Sequence, residues 1–294
     1  GGGGRPRRAG GPPEDLRAER VKKLITCQKR ANPYPATVRR DSTIGDLLAR
    51  FPEFEASKRE CFMTGRLTGW RDQGKIAFGD LEDESGKLQI VLDEKETEQF
   101  NFFKEVIDVG DFVEAGGIVL TTKRGERSLA ARHIRVITKS LRPLPVTWYG
   151  LDNVEERLRK RYLDALTHPE VRELFKRKNQ FWETVRTVLK KERFFEVETP
   201  VLEAVPGGAE AEPFVTHLNA LDEDLYLRIS LELPLKKFLV GGFDRVFEIG
   251  RIFRNEGIDR EHLQDYTQME CYAAYWDYET MMRFVERLYR EVIQ

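Results

Sequence analysis

Two hydrophobic periods alternate along the chain. Between residues 60 and 140 the apolar positions recur every second residue in short runs: CFMTGRLTGWR, KIAFGDLED, KLQIVLD, DFVEAGGIVLTTK and ERSLAARHIRVITK. Turn residues separate them, Asp72-Gln73-Gly74, Glu84-Ser85-Gly86 and Lys123-Arg124-Gly125. Period two with β-branched residues and Gly-containing breaks predicts strands. One helical patch, KETEQFNFFKEVI, falls after the third run. Elsewhere the period is helical. Leu16, Arg20, Lys23, Leu24 and Cys27 predict a helix over 14–31, stopped by Pro33 and Pro35. Asn153 caps a helix predicted to run through Leu166. Val171, Leu174, Phe175, Phe181, Val185, Val188 and Leu189 predict a long amphipathic helix from His168-Pro169 to about residue 192. It leads into FFEVETPVL (194–202), predicted as a strand. A turn at 219–222 joins two more strands, and LELPLKKFLVGGF is a short helix with Pro234 in its first turn and Gly241-Gly242 at its end.

The last third holds the most informative run. RVFEIGRIF and YTQMECYAAY predict two strands, and the charged stretch RNEGIDREHLQD between them cannot bury itself. Alternation puts Tyr266, Gln268, Glu270 and Tyr272 on one face, and Thr267, Met269, Cys271 and Ala273 on the other. On the first strand Glu248, Gly250 and Arg254 share a parity against Phe247, Ile249 and Phe253. One sheet surface thus offers an Arg, carboxylates, an amide and two phenols. The wet face of an antiparallel hairpin has the same alternation, but aromatic residues on the polar face favour a binding surface.

Five short strands with a helix after the third have the order of an OB-fold barrel, which binds single-stranded nucleic acid by stacking rings on bases and meeting phosphates with cations. Phe78, alternating with Ile76, is a candidate platform or a core residue, and Arg66 and Arg71 lie on the preceding strand. The chain divides into a Gly/Pro/Arg tail expected to be disordered (1–13), a basic helix and connection (14–59), the barrel (60–140), a linker with Pro143 and Pro145 (141–152) and a further domain (153–294). The fold class is α+β, multidomain. In 294 residues, 49 Lys/Arg balance 50 Asp/Glu, which excludes a generally basic nucleic-acid binder. The first forty residues nevertheless hold eleven Lys/Arg against three Asp/Glu, a basic arm on an acidic body that suits RNA contact or a solvated surface. Cys27, Cys61 and Cys271 are far apart, so neither a zinc site nor a disulfide framework follows, and a reducing cytoplasm is expected. No apolar run is long enough to span a membrane.

The runs FRNEG (253–257) and TQMECY (267–272) resemble motif 2 of the class II aminoacyl-tRNA synthetases, in the branch of the bacterial and eukaryotic lysyl-tRNA synthetases. The long helix and FFEVETPVL resemble motif 1, which in the family builds a dimer interface; a plain helix–strand pair is the other reading. RYLD, PGGA, PFVTH, NALD, YLRI and LKKFLVGGF agree with the same family, in order over roughly residues 20–294. The resemblance implies a partial class II antiparallel-sheet catalytic domain after an OB-fold anticodon-binding barrel. It implies lysine–tRNA ligase activity: lysine activated by ATP with Mg2+, then passed to tRNA(Lys), by a cytoplasmic homodimer with no membrane role. By position, Arg254 is the catalytic group and, with Glu256, His262 and Tyr266, binds ATP. Gly208, Glu232, Glu270 and Tyr272 bind lysine. Phe78 stacks in the anticodon, Gln89 and Glu126 read base edges, and Arg66 and Arg71 lie beside them.

Glu270 carries a physical argument of its own, because a carboxylate on this strand suits the ε-ammonium of lysine, whereas an aspartate or asparagine enzyme would need other chemistry there. Two departures from the family stand out. The motif 2 loop reads Glu261-His262-Leu263-Gln264-Asp265-Tyr266, with Glu261 where the family has a cation. Motif 3, with its nucleotide-binding Arg and acidic metal ligands, has no match before Gln294, so a fragment of impaired activity with its metal ligands beyond residue 294 is expected. The competing expectations are a non-catalytic tRNA-binding protein using the barrel, an aspartate or asparagine synthetase, and a paralogue that lysylates a protein, against which the barrel counts.

Overall fold

The computed structural model describes residues 13–144, 151 and 153–293. The tail expected over 1–13 falls outside these except for Pro13, and so does most of the linker expected over 141–152. Internal contacts divide the chain into one unit ending at Leu163 and another starting at Asp164.

In the first unit, helix α1 (Pro13–Gln28) stops three residues short of expectation. The N–H groups of Arg30 and Ala31 both turn back onto the Cys27 carbonyl, at 3.0 and 2.8 Å, which ends the helix before the prolines. Two of its cations are occupied within the protein. Arg20 donates to the Ser140 and Val109 carbonyls, and Lys23 pairs with Asp108 at 2.7 Å. Two short helices that periodicity did not mark follow, α2 (Ile44–Ala49), capped by Thr43, and α3 (Phe51–Ser57). They bury Ile44, Leu47 and Phe51 against the barrel core.

The barrel strands are β1 (Cys61–Asp72), β2 (Ile76–Glu82), β3 (Lys87–Asp93), β4 (Phe112–Thr121) and β5 (Arg127–Thr138), with α4 (Phe100–Val106) between β3 and β4. They close in the order β1-β2-β3-β5-β4, with β3 and β5 parallel. This is the OB-fold order that the alternation predicts, although α4 is shorter than its apolar patch. Inward residues Met63, Leu67, Ala77, Leu81, Leu88, Ile90, Leu92, Val113 and Leu129 fill the interior. Gly79 is required there, since a Cβ would press on Leu67 and Ile90. At the barrel's end the buried Lys139 ammonium is shared by Asp108 and Asp111, at 2.5 and 2.6 Å. The single helix expected from Asn153 is two, α5 (Val154–Arg159) and α6 (Arg161–Thr167). Asn153 does cap the first, accepting from the Glu156 N–H, but Lys160 leaves helical geometry (ψ 52°) and breaks the run.

In the second unit α7 (Pro169–Lys191) has the expected extent. The strand expected over 194–202 does not form as one piece. Only β6 (Phe195–Glu196) and β7 (Leu202–Glu203) are extended and paired, and they join different sheets. Pro200 has no N–H to give a ladder, and the buried Thr199 turns its hydroxyl to Glu248 at 2.7 Å. Strands β8 (Val215–Leu218) and β9 (Glu223–Leu227) make a sheet ordered β7-β9-β8. After α8 (Glu232–Val240), β10 (Arg245–Phe253) and β11 (Asp265–Ala273) pair antiparallel along their whole length, with β6 on the far edge of β10, and α9 (Tyr278–Ile293) follows.

The β10–β11 faces split as alternation predicts. Phe247, Ile249, Met269 and Cys271 pack under α7 and α9 with Val185, Leu189, Phe194, Phe284 and Leu288. The opposite face packs its two ends, Val246 with Tyr272 and Ile252 with Tyr266, against Leu231 and Leu235 of the α8 segment. The apolar stripe of α7 is only half used. Val171, Val185, Val188 and Leu189 are buried, while Leu174, Phe175 and Phe181 remain 62, 52 and 43% exposed. Among the described residues, no helix is long and apolar enough to cross a membrane.

Candidate active site and nucleic-acid face

Register decides what the polar face of β10–β11 presents. Glu248 stands opposite Glu270, Gly250 opposite Gln268, and Ile252 opposite Tyr266. Directly paired residues share a face with Cβ atoms about 5 Å apart, so two carboxylates side by side repel unless compensated. They are compensated differently. Glu248 is buried in an ion pair with Arg228 at 2.6 Å and accepts the Thr199 hydroxyl at 2.7 Å. Arg228 spends its remaining reach on the Thr199 and Arg251 carbonyls. Glu270 has neutral donors only. Its Oε1 accepts from Gln268 (2.5 Å), the Leu231 N–H (3.0 Å) and the Ser230 hydroxyl (3.1 Å), and its Oε2 accepts from the Tyr272 hydroxyl (3.1 Å). Among the described residues no cation pairs with it. A carboxylate fixed by four hydrogen bonds and left without a counter-charge is a prepared seat for a cation.

The other lysine-site residues of the sequence reading gather around it. Ser230 and Leu231, which hold Glu270, immediately precede Glu232 at the start of α8. Gly208 has φ +87°, and a Cβ there would lie 2.9 Å from the Ser230 hydroxyl and 3.0 Å from the Glu232 Cβ, so only glycine permits this approach. Glu232 is engaged by Lys236 one turn along α8 at 2.5 Å, and the Lys236 ammonium lies 5.9 Å from the Tyr272 ring. Burial pushes the Tyr272 phenol upward, and the Glu270 carboxylate pushes it further, so this hydroxyl stays protonated and donates. Burial also pushes the Cys271 thiol on the opposite face up to about 11, with Glu270 adding to it, which excludes a thiolate nucleophile.

The proposed nucleotide residues are less uniformly assembled. Arg254 follows β10, its N–H closing on the Gln264 carbonyl at 2.9 Å. Its guanidinium lies 5.8 Å from the Tyr266 ring, and its Nε is buried without a partner. An orphaned, charged donor beside an aromatic face fits an anionic, planar ligand. Glu256 is half-buried in the following loop, where the Asn255 N–H is held by the Glu212 carbonyl at 2.7 Å. His262 is engaged within its own loop. It is exposed, and both its N–H and its ring Nδ1 are taken by Asp259, the ring at 2.6 Å, so it serves a turn within the loop. Backbone N–H groups of Glu261 and His262 in return hold the Asp259 carboxyl below its usual value. Among the described residues, no group of three or more His, Cys, Asp or Glu is arranged to hold a metal ion.

On the barrel, the inward set Ala77, Gly79 and Leu81 leaves Phe78 and Asp80 on the outer face. Phe78 is half-buried and stands in register with Arg71 on β1 and Val91 on β3. Asp80 is in register with Gln89, which is in register with Ser128 and accepts its hydroxyl at 3.0 Å. The same hydroxyl reaches the Glu126 carbonyl, with Glu126 exposed at the β4–β5 turn. Arg71, Phe78, Gln89 and Glu126 therefore belong to one continuous outer surface. Arg66 is five residues earlier on β1 and packs 4.4 Å over the Phe112 ring, where burial lowers its pKa and Glu82 opposes that shift. That packing makes Arg66 a structural neighbour of the face more than a free cation.

A model of the class II tRNA synthetases (D, K and N) matches residues 153–294, and one of the OB-fold nucleic acid binding domain matches 62–137. The chain belongs to the class II tRNA synthetases. This synthetase chain is 46% identical to a lysine–tRNA ligase of Roseiflexus sp. strain RS-1 over 280 residues, which covers 94% of the chain and 57% of that protein. It is 45% identical to the lysine–tRNA ligase of Chloroflexus aurantiacus over 282 residues, covering 95 and 57%, and 43% identical to that of Dehalococcoides mccartyi strain 195 over 289 residues, covering 96 and 58%. The chain thus spans a little over half the length of these curated relatives. Reading the sequence of this synthetase missed the Thr199–Arg228–Glu248 cluster, the hydroxyl of Ser230 and the amide role of Gln268. Arg228 and Thr199 lie outside the hairpin, and nothing local marks them as partners of Glu248. It also missed Glu203, whose Oε2 is buried without a partner and whose carboxyl burial pushes upward against Arg228 and Lys237.

Proposed function

We propose that the protein is a lysine–tRNA ligase acting on tRNA(Lys) in the cytoplasm, with ATP and Mg2+. One observation carries this reading: Glu270 is held by four neutral donors and by no cation among the described residues, opposite a second carboxylate that has its own arginine. The ε-ammonium of lysine completes that arrangement. Glu232 would take the α-ammonium as Lys236 swings away, with Gly208 letting the backbone come close and Tyr272 closing the side. The lysine carboxylate then attacks the α-phosphorus of ATP. A carboxylate-to-phosphorus bond forms, the bond to the bridging oxygen breaks, and pyrophosphate leaves. Arg254 meets the charge on the α-phosphate as two anions approach, Tyr266 stacks on the purine and Glu256 accepts from its amino group. A role for His262 on phosphate requires release from Asp259. In the second step a 3′-terminal ribose hydroxyl of the tRNA attacks the lysyl carbonyl carbon and AMP leaves. The barrel reads the anticodon through Phe78, Gln89, Glu126 and Arg71, with Arg66 supporting that face. The exposed Leu174, Phe175 and Phe181 of α7 support a homodimer across that helix.

The test is ATP–pyrophosphate exchange by the full-length gene product. Exchange dependent on lysine, and not on aspartate or asparagine, is the expected result. Exchange with aspartate or asparagine overturns the substrate assignment. Anticodon stem-loop binding without any exchange favours a non-catalytic tRNA-binding protein instead.

A further inference from the structure

Asp80 stands in the middle of the barrel's outer face, among the residues proposed to meet RNA. It is in register with Gln89, and its neighbour along the same face, Phe78, is in register with Arg71. A carboxylate at that place repels phosphates. Its geometry is nevertheless constrained from several sides. Asp80 is the register partner of Gly69, and its side chain lies across that glycine, where a Cβ would overlap the carboxylate. The ladder shifts between Leu67 and Gly69, and Thr68 donates its hydroxyl to the Asp80 carbonyl at 3.2 Å. Lying across Gly69, the carboxylate receives Arg71 in a fork, Nη1 on Oδ2 at 2.9 Å and Nη2 on Oδ1 at 3.1 Å.

A guanidinium has five N–H donors in one plane. The fork uses two, so three are held in a fixed plane beside Phe78. The charge of Arg71 is matched by Asp80, so a phosphate gains little by approaching it. A base stacked on Phe78 would instead meet oriented donors at its edge. We propose that Asp80 is a positioning residue for RNA recognition: it aims Arg71 at the edge of the base on Phe78 and turns the phosphate backbone away from that position. This rests on the reading that the barrel binds the anticodon.

The experiment measures RNA binding by fluorescence anisotropy over a salt series, with the full-length gene product. The probes are a stem-loop carrying a UUU anticodon, the same stem-loop with all three anticodon positions changed, and an oligocytidine strand. For Asp80→Asn we expect the preference for the UUU loop to fall at least about tenfold, the equivalent of one good base contact. Oligocytidine binding should hold or tighten. Its salt slope should steepen by about 0.7, the value for one added phosphate contact on a single strand. Gly69→Ala, which displaces the carboxylate without removing its charge, should lose the same preference with no change of slope. Arg71→Lys should lose the preference too, since an ammonium cannot fork. An unchanged preference and slope in Asp80→Asn overturns the proposal, and so does an equal loss on all three RNAs. If the unaltered protein itself does not prefer the UUU stem-loop, the anticodon reading fails, which is distinct from failure of Asp80's role.

Discussion

Replacing Glu270 by Gln separates charge from shape at the candidate lysine site. The amide is nearly isosteric, and the hydrogen bonds around it decide its orientation. The Oε1 position accepts from Gln268, the Leu231 N–H and Ser230, so the amide oxygen belongs there. The new NH2 then falls at the Oε2 position, facing the Tyr272 hydroxyl at 3.1 Å, which can accept as well as donate. Every polar contact keeps a partner, and the repulsion between residues 248 and 270 is relieved, so stability should change little. What is lost is the charge offered to the ε-ammonium. A hydrogen bond to a charged group contributes about 1.5–3 kcal/mol, which at about 1.4 kcal/mol per decade corresponds to roughly a 10- to 150-fold weaker lysine affinity. Calorimetric titration of lysine into the full-length gene product, with thermal melting alongside, measures both quantities. Lysine affinity within about twofold of the unaltered protein, with the melting point preserved, would refute the assignment of Glu270 to the substrate side chain.

Other consequences follow from the same geometry. Arg228→Met strands Glu248 as a buried, unpaired carboxylate, and breaking such a pair costs about 3–5 kcal/mol; the urea midpoint of the second unit should drop accordingly, and Arg228→Met with Glu248→Gln should recover part of the loss. In the barrel, burial raises the Asp83 carboxyl, but the hydrogen bonds of Ser85, the Ile44 N–H and Arg40 outweigh it and leave its pKa below the usual value. A carboxyl depressed by folding contributes stability above its unfolded pKa, about 4, and loses it as pH falls through the folded value. Asp83→Asn should therefore flatten the acid limb of barrel unfolding below about pH 4, as read by circular dichroism. Cys271, pushed up to about 11 and packed under α7 and α9, should react with maleimide at pH 8 far more slowly than a free thiol. Fast labelling in the native protein would mean that this face opens.

The periodicities alone determined much of this protein. Alternation in five runs with a helix after the third pointed to an OB-fold barrel, because a strand has only two faces and one must be apolar; whether Phe78 lies outside or in the core was decided by the structure, which buries Ala77, Gly79 and Leu81 and leaves Phe78 on the outer face. The same rule put Glu270 and Tyr272 opposite Met269 and Cys271, so the polar face of the hairpin was legible from spacing, and its resemblance to motif 2 is the source of the ligands proposed for it. Other features depended on residues distant in sequence. Alternation cannot say that Glu248 has a cation while Glu270 has none among the described residues, because Arg228 and Thr199 reach Glu248 from 20 and 49 residues away. Nor can it say that Thr199 and Pro200 split a predicted strand between two sheets, or that Leu174, Phe175 and Phe181 of α7 stay exposed while Val185, Val188 and Leu189 are buried. Nor does spacing show that Asp259, three residues away, holds the ring of His262, or that Asp80 receives Arg71 in a fork across Gly69. A local pattern determines which face a side chain shares. Whether its charge is matched or left for a ligand depends on partners that only the folded chain brings within about 3 Å, the reach of a hydrogen bond.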